Sequence, residues 1–182
     1  DSDGDGVIEY TEYFSATLES GSVGQVYMPG LDDVFGCTDA TAANYNSNAT
    51  VDDNSCMFYG ETCDYSLDFV ESGGSPYGAS YVSGDIGEYE SAWYHFTVPD
   101  DYEYLSFSTA GSNFDTKLEL FEECGDNEFA YNDDAFGTLQ SYIELNDVVA
   151  GQTILIRVFG YDNLFGNYHL SLNLSNTANM TL

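Results

Sequence analysis

Residues 115–134 read DTKLELFEECGDNEFAYNDD, and their pattern decides the fold class. Leu118 and Leu120 alternate with Lys117, Glu119 and Phe121. A period of two marks a strand with one face on a core. Glu122, Glu123, Gly125, Asp126 and Asn127 break the alternation, and a second short strand ends in Asn132-Asp133-Asp134. The stretch is therefore read as strand, turn, strand. Three oxygen-rich side chains in a row at a strand end are costly unless a cation sits among them.

The same texture runs outward from this hairpin, beginning at Gly60. Tyr94, Phe96 and Val98 share one face of a strand. So do Leu105, Phe107 and Thr109; Leu139, Ser141, Ile143 and Leu145; Ile154, Ile156 and Val158; and Tyr168, Leu170, Leu172 and Leu174. Evenly spaced short strands separated by Gly, Asp and Asn predict an all-β, antiparallel β-sandwich over residues 59–175. No helical period is present in this half.

Composition sets limits on partners. The chain has 182 residues, with 32 acidic side chains against two basic ones, Lys117 and Arg157, for a formal charge of -30. Phosphate-rich nucleic acid and anionic membrane surfaces would be repelled. Self-repulsion at this charge opposes compaction unless bound divalent cations or a well-solvated acidic surface offset it. With 43% hydrophobic residues, a real core is possible. No apolar run approaches the roughly 20 residues of a membrane span. With no signal peptide, the chain reads as mature or trimmed. An even count of four cysteines, Cys37, Cys56, Cys63 and Cys124, indicates disulfides and an extracellular or cell-surface location.

Residues 1–12, DSDGDGVIEYTE, fit the calcium-loop pattern D-x-[DN]-x-[DN]-G-x₅-E at every fixed position. Ca²⁺ takes six to eight oxygens. Asp1, Asp3 and Asp5 would supply carboxylates, Gly6 the sharp turn, Val7 its carbonyl and Glu12 two further oxygens. Residues 1–21 are read as this loop followed by a short helix from Tyr10 to Leu18. Residues 22–36 are read as a glycine-punctuated connector.

Residues 36–56, GCTDATAANYNSNATVDDNSC, are too polar to fold on a core of their own. They resemble a short cysteine-bounded repeat of secreted surface proteins in marine Bacteroidetes, where it accompanies calcium loops similar to thrombospondin type 3 units. This unit is placed at residues 37–58. Asp39, Asp52 and Asp53 are candidate ligands within it, and turn formation is the competing role for its Asn and Asp residues.

Three segments, WYHFTVP, FDTKLELFEECGDNEFAYNDDAFGTLQSYIEL and AGQTILIRVFGYDNLFGNYHLSL, resemble the bacterial pre-peptidase C-terminal domain over about residues 60–175. The resemblance implies an extracellular jelly-roll-like sandwich, sometimes calcium-bound, that serves as a non-catalytic accessory module. Asn132, Asp133 and Asp134 match the family's N-D-D strand end and become a second set of candidate Ca²⁺ ligands. Four cysteines allow three pairings. The two resemblances together imply Cys37–Cys56, bounding the small unit, and Cys63–Cys124, joining the start of the sandwich to its middle.

Sequence signals for catalysis are weak. His95 and His169 read as outward-facing strand residues, and nucleophile-elbow, H-E-x-x-H and phosphate-loop motifs are not present. The expectation is a calcium-binding, non-enzymatic module, structural or adhesive. One partner it could take is a further copy of the chain in a head-to-tail filament, joined through the calcium loop and the polar tail Ser175–Leu182; the alternative is that both ends are cut linkers of a larger surface protein. The competing expectation is an accessory module that binds an extracellular polymer, polysaccharide or collagen-like, through some of its 16 Tyr and 12 Phe. A contiguous exposed aromatic strip on one sheet would favour the second. Asn48, Asn173 and Asn179 lie in sequons, which matter for glycosylation only in a eukaryotic secretory pathway.

Overall fold

The computed structural model describes residues 33–87 and 90–176. The calcium loop (Asp1, Asp3, Asp5, Val7, Glu12), the helix expected at Tyr10–Leu18, most of the connector and nearly all of the tail lie outside them. Two compact units are present. One holds Tyr45–Cys56 with residues up to Ala40, and the other holds Thr41–Asn44 with residues from Met57 onward.

In the first unit, β1 (Phe35–Gly36) pairs in parallel with β2 (Val51–Asp52). Among the described residues of this unit, a disulfide and backbone hydrogen bonds link the polar 36–56 segment. Cys37 and Cys56 form a disulfide. The Asn46 N–H donates to the Cys37 carbonyl at 3.0 Å, and the Thr50 N–H donates to the Val34 carbonyl at 2.8 Å.

The second unit is a β-sandwich, as the alternating pattern predicts. Its strands are β3 (Leu67–Asp68), β4 (Ala79–Ile86), β5 (Ser91–Thr97), β6 (Tyr102–Ser108), β7 (Thr116–Phe121), β8 (Ala130–Asn132), β9 (Tyr142–Val148), β10 (Thr153–Gly160) and β11 (Gly166–Ser175). One sheet has the order β3-β5-β10-β7-β8 and the other β4-β11-β6-β9. Every pairing is antiparallel except that of the two-residue β3 with β5. Among the described strands of this sandwich, the β7–β8 hairpin is the one step between consecutive strands that stays within a sheet; the others cross between sheets.

The core lies between the sheets. Tyr94, Phe96, Leu118, Leu120, Ile154, Ile156 and Val158 bury one face, and Val82, Ile86, Leu105, Phe107, Leu170 and Leu172 bury the other. Tyr94 and Tyr168 join the two layers by a hydroxyl–hydroxyl hydrogen bond of 2.6 Å. Phe69 is fully buried and packs edge-on to Tyr94 and Phe96.

Two details depart from the alternation. Leu139, expected on the core face of a strand, precedes β9 in a loop and is 57% exposed. The strand begins only after Ser141, whose buried hydroxyl is bound to backbone carbonyls instead of facing apolar neighbours. Phe121, on the side of β7 opposite the core, is nonetheless buried, with its ring 5.3 Å from that of Trp93.

Candidate cation site

The β7–β8 hairpin fixes which side chains meet at its open end. Leu118 pairs with Asn132 and Leu120 with Ala130. Continuing that register past Asn132 brings Asp133 and Asp134 toward the residues that precede β7. The carboxylates of Asp115, Asp133 and Asp134 converge there, with one oxygen of each within 4.8 Å of the others. This is the one such group of three or more acidic, His or Cys side chains among the described residues. Asp115 Oδ1 and Asp133 Oδ1 are both buried and lack a hydrogen-bond partner.

Buried unpaired carboxylate oxygens carry a desolvation cost. Mutual repulsion adds about 3.5 kcal/mol for a pair at this separation in an effective dielectric of about 20, and less where Asp134 meets solvent. Burial, followed by the charges of Asp134 and Asp133, pushes the Asp115 carboxyl above its ordinary range, and Lys117 pulls the other way. Lys117 Nζ is 3.9 Å from Asp133 Oδ2, so one positive charge faces three negative ones.

The donor set fits a hard divalent cation. Ca²⁺–oxygen distances of about 2.3–2.6 Å place ligands on opposite sides of an ion roughly 5 Å apart, which matches the separation here. Three carboxylates offer six oxygens before any water is counted.

The backbone under the site is held by Ser141. Its Oγ lies 2.6 Å from the Thr116 carbonyl, 2.9 Å from that of Asn132 and 2.7 Å from that of Asp133. One hydroxyl proton serves one carbonyl at a time, so Ser141 clips together the two segments that carry the carboxylates. Thr109 Oγ1 continues the network to Thr116 Oγ1 at 2.5 Å and accepts from the Ser141 N–H at 2.8 Å.

Of the candidate trio at the strand end, the structure brings together Asp133 and Asp134. The side chain of Asn132 is turned elsewhere: its Oδ1 accepts from the Tyr142 N–H at 2.9 Å and ties β8 to β9. Asp115 takes the third place. It opens the stretch that decides the fold, and the hairpin register is the signal that could have identified it.

In the first unit, Asp52 and Asp53 act as local turn formers. Asp52 Oδ1 accepts from the Asn54 N–H at 2.8 Å and Asp53 Oδ1 from the Ser55 N–H at 3.0 Å. The hydrogen bond from the Ser55 side chain holds the Asp53 carboxyl below its ordinary range. Asp39 lies near Cys37, whose Sγ is 3.8 Å from the Asp39 carbonyl.

His95 is more engaged than its sequence position indicates. Ser66 Oγ is 3.1 Å from its Nδ1 and Asp68 Oδ2 is 3.4 Å from its Nε2. This reverses the ring orientation of a hydrolytic triad, in which the carboxylate holds Nδ1 and the nucleophile meets Nε2. Asp68 Oδ1 already accepts from the Val70 and Glu71 N–H groups. The arrangement cross-links the short strand β3 to β5. His169 stacks on Tyr81 at 4.4 Å.

No protein-family model and no curated protein sequence matches the chain. Solved structures do resemble it. The pre-peptidase C-terminal domain of a Bacillus anthracis collagenase is 22% identical, with a TM-score of 0.42, over 53% of this chain and 90% of that one. A periplasmic inhibitor of g-type lysozyme from Aeromonas hydrophila is 13% identical, with a TM-score of 0.40, over 54% and 88% of the two chains. The Yersinia pseudotuberculosis-derived mitogen is 15% identical, with a TM-score of 0.39, over 57% and 91%. Likeness at this level indicates neither a shared site nor a shared function.

Proposed function

We propose that the protein is a secreted or cell-surface, non-catalytic module whose fold is stabilised by calcium and whose role is structural or adhesive. The observation that carries this reading is the convergence of Asp115, Asp133 and Asp134 with two buried, unpartnered carboxylate oxygens. Both disulfides point to an oxidising, extracellular or periplasmic compartment. The motif at residues 1–12 is a second, independent calcium candidate.

A ligand that binds only the native state stabilises by about 2.7 kcal/mol at a hundredfold excess over Kd. Extracellular calcium modules often bind at about 10⁻⁴–10⁻³ M. Thermal melting in millimolar calcium against chelator is therefore expected to show a clear upward shift. Asp134→Asn should remove part of that shift, and Asp3→Asn with Asp5→Asn another part. A midpoint insensitive to calcium would sink the reading.

Adhesion by head-to-tail assembly would involve chain ends outside the described residues. Electron microscopy with and without chelator tests it: filaments that dissolve on chelation support assembly, and monomers in both conditions end it.

A second reading, polymer binding, is favoured by the outer face of the five-stranded sheet. Both basic residues of the chain lie there among rings. Arg157 packs over Phe159 and Trp93 at 4.4 and 5.5 Å, and Lys117 sits over Tyr161 at 4.7 Å and over Tyr131 at 5.8 Å. Co-sedimentation with insoluble polysaccharide and with collagen fibres, before and after Tyr131→Ala with Tyr161→Ala, tests it. Retention that does not depend on these rings would count against it.

A further inference from the structure

Two loops at one end of the sandwich hold large apolar side chains in solvent. The loop between β8 and β9 presents Phe136, 78% exposed, together with Leu139. The loop between β10 and β11 presents Leu164 and Phe165, the latter 58% exposed. Both loops are bonded to the same short segment at the start of β7, Phe114–Thr116. The Thr116 N–H donates to the Leu139 carbonyl at 3.0 Å, Gln140 Nε2 donates to the Phe114 carbonyl at 3.4 Å, and the Tyr161 N–H donates to the Asp115 carbonyl at 3.0 Å. The exposed side chains therefore share one end of the molecule. Phe136 has a left-handed backbone, φ 53°, as do Asp162 and Asn163 just before Leu164. A bulky residue rarely adopts that conformation; the Phe136 ring leans on Tyr142, with centroids 5.2 Å apart, and its other face stays in solvent. Two exposed carboxylates, Asp134 and Asp162, stand on the same loops.

We infer that this end is a docking surface for a basic polypeptide segment of another protein, in which lysine or arginine side chains are flanked by apolar ones. Charge complementarity names the occupant. A chain of charge -30 attracts a basic partner and repels an acidic one. A second copy is a poor fit, because Lys117 and Arg157 are its only basic residues and both are engaged. Lys117 lies over three rings, and Arg157 pairs with Glu119 at 3.2 Å. Phe136, Leu139, Leu164 and Phe165 would take the flanking apolar side chains, while the exposed Asp162 meets a cation between them, Asp134 being committed to the cation site. The inference deepens the adhesive reading by giving the surface and the chemistry of its partner, and it does not depend on calcium.

The test uses the full chain and a fluorescein-labelled peptide of alternating lysine and phenylalanine. Binding is read by anisotropy at about 0.15 M salt, where exposed charges beyond about 8 Å are screened. The comparison peptide carries the same lysines with serine in place of phenylalanine. Phe136→Ser with Phe165→Ser is expected to weaken the lysine–phenylalanine peptide at least about tenfold, as removal of central apolar anchors does. Tyr77→Ser, at the opposite end of β4, should leave binding unchanged. The serine peptide should bind the unsubstituted chain at least about tenfold more weakly. Equal binding of the two peptides, or indifference to the paired substitution, would reduce the interaction to diffuse charge attraction and overturn the inference. So would no peptide binding at all, or co-sedimentation with phosphatidylcholine vesicles in preference to the peptide. A calcium-dependent melting shift with no peptide binding would refute this inference and leave the calcium reading standing.

Discussion

Asp115 links the local electrostatics to a measurable pH dependence. Its carboxyl is held above the ordinary range first by burial and then by Asp134 and Asp133, with Lys117 opposing. Its folded-state pKa therefore exceeds the unfolded value. Between the two values the native state binds more protons than the unfolded one, so stability rises as pH falls through the raised pKa. Above that pKa the full penalty applies. In chelator, Asp115→Asn is expected to raise the melting midpoint near neutral pH, with the difference from wild type shrinking as pH drops into the carboxylate range. Comparing the two chains removes the contribution of the other acidic groups. Calcium should reverse the order, because the ion needs the carboxylate that the substitution removes. Parallel pH profiles in chelator would show that the site carries no such strain. Ser141→Ala probes the same region from beneath. It leaves carbonyls of Thr116, Asn132 and Asp133 short of their buried donor and is expected to cost about 1–3 kcal/mol in denaturant unfolding. Calcium affinity should fall with it, because those carbonyls belong to the segments that carry Asp115 and Asp133.

At the scale of elements, most strands were readable because burial on one face imposes a strict period of two. The core faces of β5, β6, β7, β10 and β11 follow their alternating apolar residues. β3 and β4 were not readable. β3 is two residues long, and β4 reads ASYVSGDI, in which only Val82 and Ile86 are buried. The cation site was half legible: Asp133 and Asp134 stand out as a strand end, whereas Asp115 is recognisable only once the hairpin register is known. The loop from β10 to β11 depends on a different kind of residue. A Cβ on Gly160 would overlap the main-chain carbonyl of Leu164, so the loop can fold back over the end of β10 only with glycine there. Gly160→Ala must displace backbone, where no flexible side-chain tip can give way. It is expected to destabilise by about 1–3 kcal/mol and to weaken peptide capture at the Phe136–Phe165 end. Wild-type stability in this variant would show that the loop has room to shift.

For the whole molecule, the two disulfides bear on different things. Cys37–Cys56 closes a loop with a sequence separation of 19 across the polar 36–56 segment. Cys63–Cys124 spans a sequence separation of 61 and ties the 3₁₀ turn Cys63–Tyr65, which leads into β3, to the turn after β7. In the chain-entropy model the longer link is worth about 4 kcal/mol and the shorter about 3 kcal/mol. Cys63→Ala with Cys124→Ala should therefore lower the sandwich midpoint measurably, but the buried core and the Tyr94–Tyr168 bond between the sheets should keep a folded state. Limited trypsin digestion reads the outcome. The only cleavage sites are Lys117 in β7 and Arg157 in β10, both inside paired strands with their side chains packed on rings. Cleavage at either therefore requires the sheet to open. The intact chain is expected to resist trypsin in calcium. The double-alanine chain should be cut faster, in proportion to its lost stability, and both chains faster still in chelator. Rapid cleavage of the intact, calcium-loaded chain at either residue would mean that β7 or β10 opens without global unfolding, and that the sandwich is not the cooperative unit its core implies.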